Sequence, residues 1–234
     1  MLNSFTNLFF PPVCGLCEKA VGRDALCAAC ADAIGRSRIL GPSCGVCGVP
    51  FASTASGPHT CGECLLEPPP YVQAISACIY EGAALDAIHS FKYGGNTRLA
   101  AGLGALLRDA AVFRDAPGVA VPVPLHVERL RQRGFNQSLL LAREAARALS
   151  IKVDYTSLRR VRPTAAQTGL AARDRRRNVA AAFAVRRPDA LRGRRVLLVD
   201  DVLTTGATVR ECSKAMRAAG AEVYVLTLAR AVRL

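Results

Sequence analysis

The stretch that most limits the possible folds is Arg195-Val196-Leu197-Leu198-Val199-Asp200-Asp201-Val202-Leu203-Thr204-Thr205-Gly206-Ala207-Thr208. Four consecutive apolar residues ending in two acids predict a strand buried on both faces, whose C-terminal end carries carboxylates to a surface. A hydroxyl-rich turn follows. Then come apolar residues at helical spacing (Val209, Cys212, Ala215, Met216, Ala219), closed by Gly220 as a C-terminal cap. Strand, acidic end, small turn and helix in that order suit an open α/β sheet, which binds ligands beyond the carboxyl ends of its strands.

The chemistry of this run is that of a divided ligand. Backbone N–H groups of the turn, the threonine hydroxyls and the positive end of the helix suit a phosphate. Two adjacent carboxylates repel that phosphate, but they accept hydrogen bonds from a vicinal diol and attract Mg²⁺. A phosphate beside a diol describes a sugar phosphate, and ribose 5-phosphate fits best. For Asp-Asp alone, solvated acids before an ordinary helix would be the plainer reading; the whole run in its context argues against it. The run resembles the phosphoribosyl pyrophosphate (PRPP) signature of type I phosphoribosyltransferases. That resemblance implies Asp200 and Asp201 on the ribose hydroxyls, and Thr204, Thr205, Gly206, Ala207 and Thr208 around the 5′-phosphate.

Eight of the ten cysteines fall in four Cys-x-x-Cys pairs: Cys14/Cys17, Cys27/Cys30, Cys44/Cys47 and Cys61/Cys64. Two such pairs complete a closed tetrahedral Zn²⁺ site, so four supply two structural zinc ions. Gly15, Gly45, Gly48 and Gly62 let backbone amides turn toward sulfur. The small and polar residues between the pairs cannot build a core, which leaves zinc to supply most of the folding energy. The simplest partition is sequential, Cys14 to Cys30 on one ion and Cys44 to Cys64 on the other, with an interleaved pairing equally allowed by spacing. A catalytic zinc would need an open position, and His59 is the one histidine nearby. Cys78 and Cys212 lie singly in apolar patterns and read as core. Pro68-Pro69-Pro70 reads as a short stiff spacer, dividing residues 1–68, a double zinc ribbon, from 69–234.

In the larger part, Tyr71–Tyr80 reads as a strand that precedes the sheet proper, followed by helices over 83–91 and 97–112 with a Lys92-Tyr93-Gly94-Gly95 turn between them. Val119–Leu125 is the next strand. The loop after it carries Arg129, Arg131 and Arg133 close to a helix start, an arrangement that suits pyrophosphate. Residues 159–178, arginine-heavy and without an apolar stripe, read as a polar loop; the resemblance to phosphoribosyltransferases implies that it closes over the reacting centre and excludes water, while a basic surface loop or nucleic-acid contact is the plainer reading of its residues. A final strand covers 222–228. The alternation predicts an α/β fold with a parallel sheet and flanking helices.

Val121-Pro122-Val123-Pro124-Leu125-His126 and Arg133-Gly134-Phe135-Asn136-Gln137 resemble the ComF family (ComF and GntX proteins) over nearly the whole chain. This resemblance implies a zinc-binding N-terminal module ahead of a type I phosphoribosyltransferase-like domain. It also marks Arg129, Arg133, Asn136 and Gln137, together with Gln167, Arg173, Arg177 and Asn178, as candidates for the pyrophosphate and loop contacts. At family level it implies natural competence, with single-stranded DNA and a helicase-like uptake component as partners. Two functions follow as expectations: Mg²⁺-dependent transfer of a 5-phosphoribosyl group from PRPP to an acceptor, or a non-catalytic PRPP-sensing or DNA-binding accessory role. The acceptor would be chosen by a hood over residues 71 to about 112.

A balance of 31 basic against 18 acidic residues, net +13, suits anionic ligands of either kind. Only 6% of residues are aromatic and none is Trp, which limits base stacking and leaves a salt-sensitive, sequence-nonspecific contact as the expected mode with DNA. No apolar run reaches the roughly 18 residues of a membrane span. The first ten residues lack a basic stretch and apolar core typical of a signal peptide, so a cytoplasmic location is expected.

Overall fold

The structure, a computed structural model, describes residues 12–22, 25–51, 59–163 and 172–232. A five-stranded parallel sheet runs in the order β1 (Gln73–Ile79), β7 (Glu222–Arg230), β6 (Arg195–Leu203), β2 (Val119–Pro122), β3 (Lys152–Val153). Alternation along β6 divides the core. Leu197 and Val199 pack on one face with Leu103, Leu107, Leu141 and Ala145 of helices α4 (Leu99–Ala110) and α6 (Gln137–Leu149). Val196 and Leu198 pack on the other with Val209, Cys212 and Met216 of α8 (Ala207–Ala218). The four apolar residues are fully buried, as a strand covered on both faces requires.

Tyr71–Tyr80 does not precede the sheet but belongs to it. Gln73–Ile79 pairs in parallel with β7 along its length, so β1 is an edge strand and the part of the supposed hood that it contributes is sheet. Helices α3 (Gly82–Tyr93) and α4 follow it. The loop after β2 is also more ordered than its prolines suggest. It holds α5 (Val127–Arg133), ended by Gly134 in the left-handed conformation, and α6 begins where the Asn136 side chain accepts from the Ser138 and Leu139 amides.

Strands β4 (Leu158–Arg160) and β5 (Phe183–Val185) form a separate antiparallel pair. Between them lies helix α7 (Ala172–Val179), where irregular backbone was expected. Its end is fixed by the Arg162 guanidinium, which donates to the Asn178 and Ala180 carbonyls, and by burial of Val179. Beyond it the Ala181 amide donates to Glu211 on α8. These contacts compensate for the missing apolar stripe, because a cation at a helix C-terminus satisfies carbonyls that lack intrahelical donors.

The N-terminal cysteine module is docked on the outer edge of β1. Ile79 N–H donates to the Ser37 carbonyl at 2.7 Å, Ile39 N–H to Ala77 at 3.2 Å, and Ala74 N–H to Val46 at 2.7 Å. An edge strand that would otherwise present unpaired backbone is thereby covered. Cys14, Leu26 and Ile34 join the core built on α3 and α4, and Arg230 at the end of β7 donates to the Cys47 carbonyl at 2.6 Å. Gly48 has φ +69°, and a Cβ there would lie 2.5 Å from the Ala74 carbonyl oxygen. Gly48→Ala is therefore expected to destabilise the chain by about 1–3 kcal/mol, through left-handed strain plus the backbone clash. The measurement is the midpoint of urea unfolding with zinc in excess; an unchanged midpoint would contradict so close a contact.

Candidate functional site

A cavity of about 920 Å³ opens at the C-terminal ends of β2 and β6. Its floor is the acid pair. Asp200 and Asp201 are 9% and 5% exposed, and Thr204 and Thr208 line the same cavity. Asp200 Oδ1 accepts from Ser138 Oγ at 2.9 Å and from the Asp201 amide at 2.9 Å. Burial, followed by the neighbouring Asp201 charge, pushes the Asp200 carboxyl up to about 7, while Lys92 and those hydrogen bonds pull the other way. Asp201 Oδ1 is paired with Lys92 Nζ at 2.9 Å, and its Oδ2 is buried without a hydrogen-bond partner. That Oδ2 is an acceptor wanting a donor, as a ribose hydroxyl would supply.

The turn after the acids departs from an even ring of ligating side chains. Thr204 and Thr208 face the cavity, whereas Thr205 Oγ1 accepts from the Ala207 amide at 3.5 Å and the Ala207 side chain is buried in the core under α8. Gly206 adopts φ +73° and opens α8, so the first-turn amides of that helix are the phosphate donors the turn can offer. The contribution of Thr205, Gly206 and Ala207 is backbone shape.

Of the upstream candidates, Arg129, Arg133 and Gln137 line the cavity. Arg133 donates to Gln137 Oε1 at 2.8 Å and lies 5.2 Å from the centre of the Tyr93 ring. Asn136 is committed elsewhere: besides capping α6 it donates to the Val123 carbonyl at 3.1 Å, and it is not part of the cavity wall. Arg131 and Arg177 are exposed and outside the wall. Gln167 lies outside the described residues, as does the Arg173 side chain.

The sequence reading missed Lys92, Ser138, Arg160 and the aromatic group Tyr80, His89 and Tyr93, all of which reach the cavity. Arg160 projects from β4. Burial first, and then the Arg129 charge, lower its pKa, as expected of a guanidinium drawn out of water beside another cation. The available signal was weak: Arg160 sits in a run of arginines, and Lys92 in what read as a turn.

The cysteines form two tetrads, Cys14, Cys17, Cys27, Cys30 and Cys44, Cys47, Cys61, Cys64, with the sulfurs of each within 4.8 Å of one another. The partition is sequential. Each half repeats one plan, in which a knuckle carries the first pair and the second pair straddles the start of a helix, α1 (Ala28–Gly35) or α2 (Gly62–Leu66). The Cys27 and Cys61 amides donate to Cys14 and Cys44 Sγ at 3.3 Å. Burial works to raise these two thiols, but backbone amides outweigh it and bring Cys14 to about 6 and Cys44 to about 7. Four sulfur donors within reach of one ion, one in each tetrad drawn toward its thiolate by backbone amides, fit structural zinc.

Family models agree with this division of chemistry. Residues 5–65 match a double zinc ribbon domain and residues 136–232 a phosphoribosyl transferase domain. The DNA utilization protein YhgH of Escherichia coli K12 is 35% identical over 233 residues, covering 95% of this chain and 99% of its own. Competence protein F of Haemophilus influenzae is 35% identical over 219 residues, covering 90% and 93%. The chain belongs to the ComF family. This chain joins a double zinc ribbon to a phosphoribosyltransferase-like fold, and the matched residues of the latter supply Gln137, Ser138, the acid pair, Thr204 and Thr208 to the cavity. Among solved structures, adenine phosphoribosyltransferase from Leishmania tarentolae aligns at 16% identity and TM-score 0.36, over 62% of this chain and 75% of that one. Among the described residues no helix is long and apolar enough to cross a membrane.

The raised Asp200 carboxyl has a consequence for stability. A carboxyl whose folded pKa exceeds its unfolded value stabilises the fold at low pH and loses that contribution as pH rises through the folded value, here about 7. Asp200→Asn keeps an Oδ1 acceptor for Ser138 and removes the charge. The variant is expected to melt above the wild type at pH 8, to keep only a minor part of that advantage at pH 5, and to lose the rest as pH falls through the unfolded carboxylate value. Thermal unfolding at both pH values measures the difference, and a pH-independent difference would contradict a charged, buried Asp200.

Proposed function

We propose that this ComF-family chain binds PRPP and transfers its 5-phosphoribosyl group to an acceptor. The observation that carries the reading is the cavity floor, where two buried carboxylates, one with an unpartnered oxygen, adjoin the Thr204 to Thr208 turn and face a wall of arginines. In this reading Asp200 and Asp201 hold the ribose diol, the turn amides with Thr204 and Thr208 hold the 5′-phosphate, and Arg129, Arg133 and Arg160 hold the pyrophosphate. A magnesium ion held by those carboxylates and the substrate would supply charge neutralisation for the leaving pyrophosphate. The chain's own work is to fix the sugar, to keep guanidinium groups where charge develops, and to exclude water from an oxocarbenium-like centre. No side chain in the cavity is required as a general base by this chemistry.

A second reading has its own support. The named relatives are a DNA utilization protein and a competence protein, and the chain carries a net +13 charge. A PRPP-sensing or single-stranded-DNA-binding accessory, working with a helicase-like uptake component, uses the same cavity as a sensor and the basic surface for the nucleic acid.

PRPP with Mg²⁺ at about a hundred times its dissociation constant is expected to stabilise the wild type by about 2.7 kcal/mol. The paired substitution Asp200→Asn/Asp201→Asn is expected to remove that shift, as read by thermal unfolding. Absence of any shift with the wild type rejects both PRPP readings. Pyrophosphate release in the presence of nitrogenous acceptors then separates transferase from sensor, and single-stranded DNA binding that weakens as salt rises tests the accessory role.

A further inference from the structure

The cavity contains one cation that neither the motif nor the arginine wall provides. Lys92 stands in the last turn of α3, where the helix C-terminus favours a positive charge, and reaches Asp201 Oδ1 at 2.9 Å. Its side chain is 16% exposed and that of Asp201 6%, so the pair is largely withdrawn from water. Such a pair persists only when it is well placed, since loss of one partner leaves a buried charge uncompensated.

Lys92 is held in that place from behind. The Gly15 carbonyl, in the first cysteine knuckle, accepts from Ser90 Oγ at 3.3 Å and from Asn96 Nδ2 at 3.1 Å, one residue on either side of the Lys92 turn. A Cβ at Gly15 would lie 2.7 Å from Asn96 and Leu99, so the knuckle is seated closely against this corner. Phe91, fully buried, anchors the preceding position, and Gly94 and Gly95 turn the chain away after it.

Two adjacent carboxylates would otherwise present two negative charges to a ligand that is itself anionic. A lysine already on one of them leaves Asp201 Oδ2 open to a hydroxyl while cancelling its charge. We propose that Lys92 is the built-in cation of the ribosyl subsite, so that a ribose 5-phosphate binds there without divalent metal, and the metal is needed only once the pyrophosphate is present. This rests on the ribosyl-phosphate reading of the cavity given above.

The test is calorimetric titration of ribose 5-phosphate into the full zinc-loaded chain, in EDTA too weak to strip the zinc and in excess Mg²⁺, with zinc content checked after each run. The wild type is expected to bind with affinities within about twofold in the two buffers, because the floor already holds its counter-charge. Lys92→Met is expected to weaken binding about tenfold or more in the metal-free buffer, with Mg²⁺ restoring most of the loss. Lys92→Arg, which keeps the charge, is expected to bind without metal. Lys92→Gln, which keeps a donor to Asp201 but no charge, carries the same expectation as Lys92→Met and replaces it if the latter does not fold. A wild type that needs Mg²⁺, an uncharged variant that binds as the wild type does in the metal-free buffer, or a loss that Mg²⁺ does not repair would each overturn the assignment while leaving the ribosyl-phosphate site standing. Failure of the wild type to bind ribose 5-phosphate or PRPP in either buffer would remove the subsite itself, and the assignment with it.

Discussion

Burial of two neighbouring carboxylates at the end of β6 is the constraint around which the rest of the molecule is arranged. Charged groups withdrawn from water need partners, and here each partner comes from a different part of the fold. Ser138 reaches Asp200 from α6, and Lys92 reaches Asp201 from α3. Strand β6 can hold the acids there because it is paired on both sides, with β7 and β2, and packed on both faces. The stability of the surrounding apolar core tolerates an acid pair that contributes nothing favourable to folding on its own.

The zinc module takes part in this arrangement. It covers the free edge of β1, it seats a knuckle beside Ser90 and Asn96, and its second tetrad is tied to β7 through Arg230 and Cys47. These ties run toward the cavity from two sides, since the amide of Tyr80, a cavity residue, donates to the Arg230 carbonyl. The metal sites are thus structural in a wider sense than folding their own loops.

What could be read from the sequence was chemistry concentrated in short runs. The β6 to α8 segment was legible because strand, acids, turn and helix are contiguous, and the zinc chemistry because four Cys-x-x-Cys pairs supply two ions, while their partition into tetrads came only with the fold. The membership of β1 in the sheet was not legible, since its partner β7 lies far along the chain and an edge strand reads like any other apolar run. Helix α7 was missed because its stabilisers, Arg162 and Glu211, come from outside it. Asn136 reads as a ligand contact in sequence and caps α6 outside the cavity wall in the structure, because an N-cap asparagine beside a basic loop looks the same in sequence as one that faces a phosphate. Lys92 was passed over because only the folded chain brings it to Asp201.

The strand order carries one more implication. Since β7 lies between β1 and β6, strand β1 has no sheet to join until residues 222–230 exist, and contacts of such sequence separation form late. During synthesis the backbone partner that precedes β1 is the cysteine module made just before it. Metal capture, which needs sulfurs close in sequence, can finish while the remaining strands are still being made. The module therefore shields an exposed edge during the interval when the nascent chain is most open to mispairing.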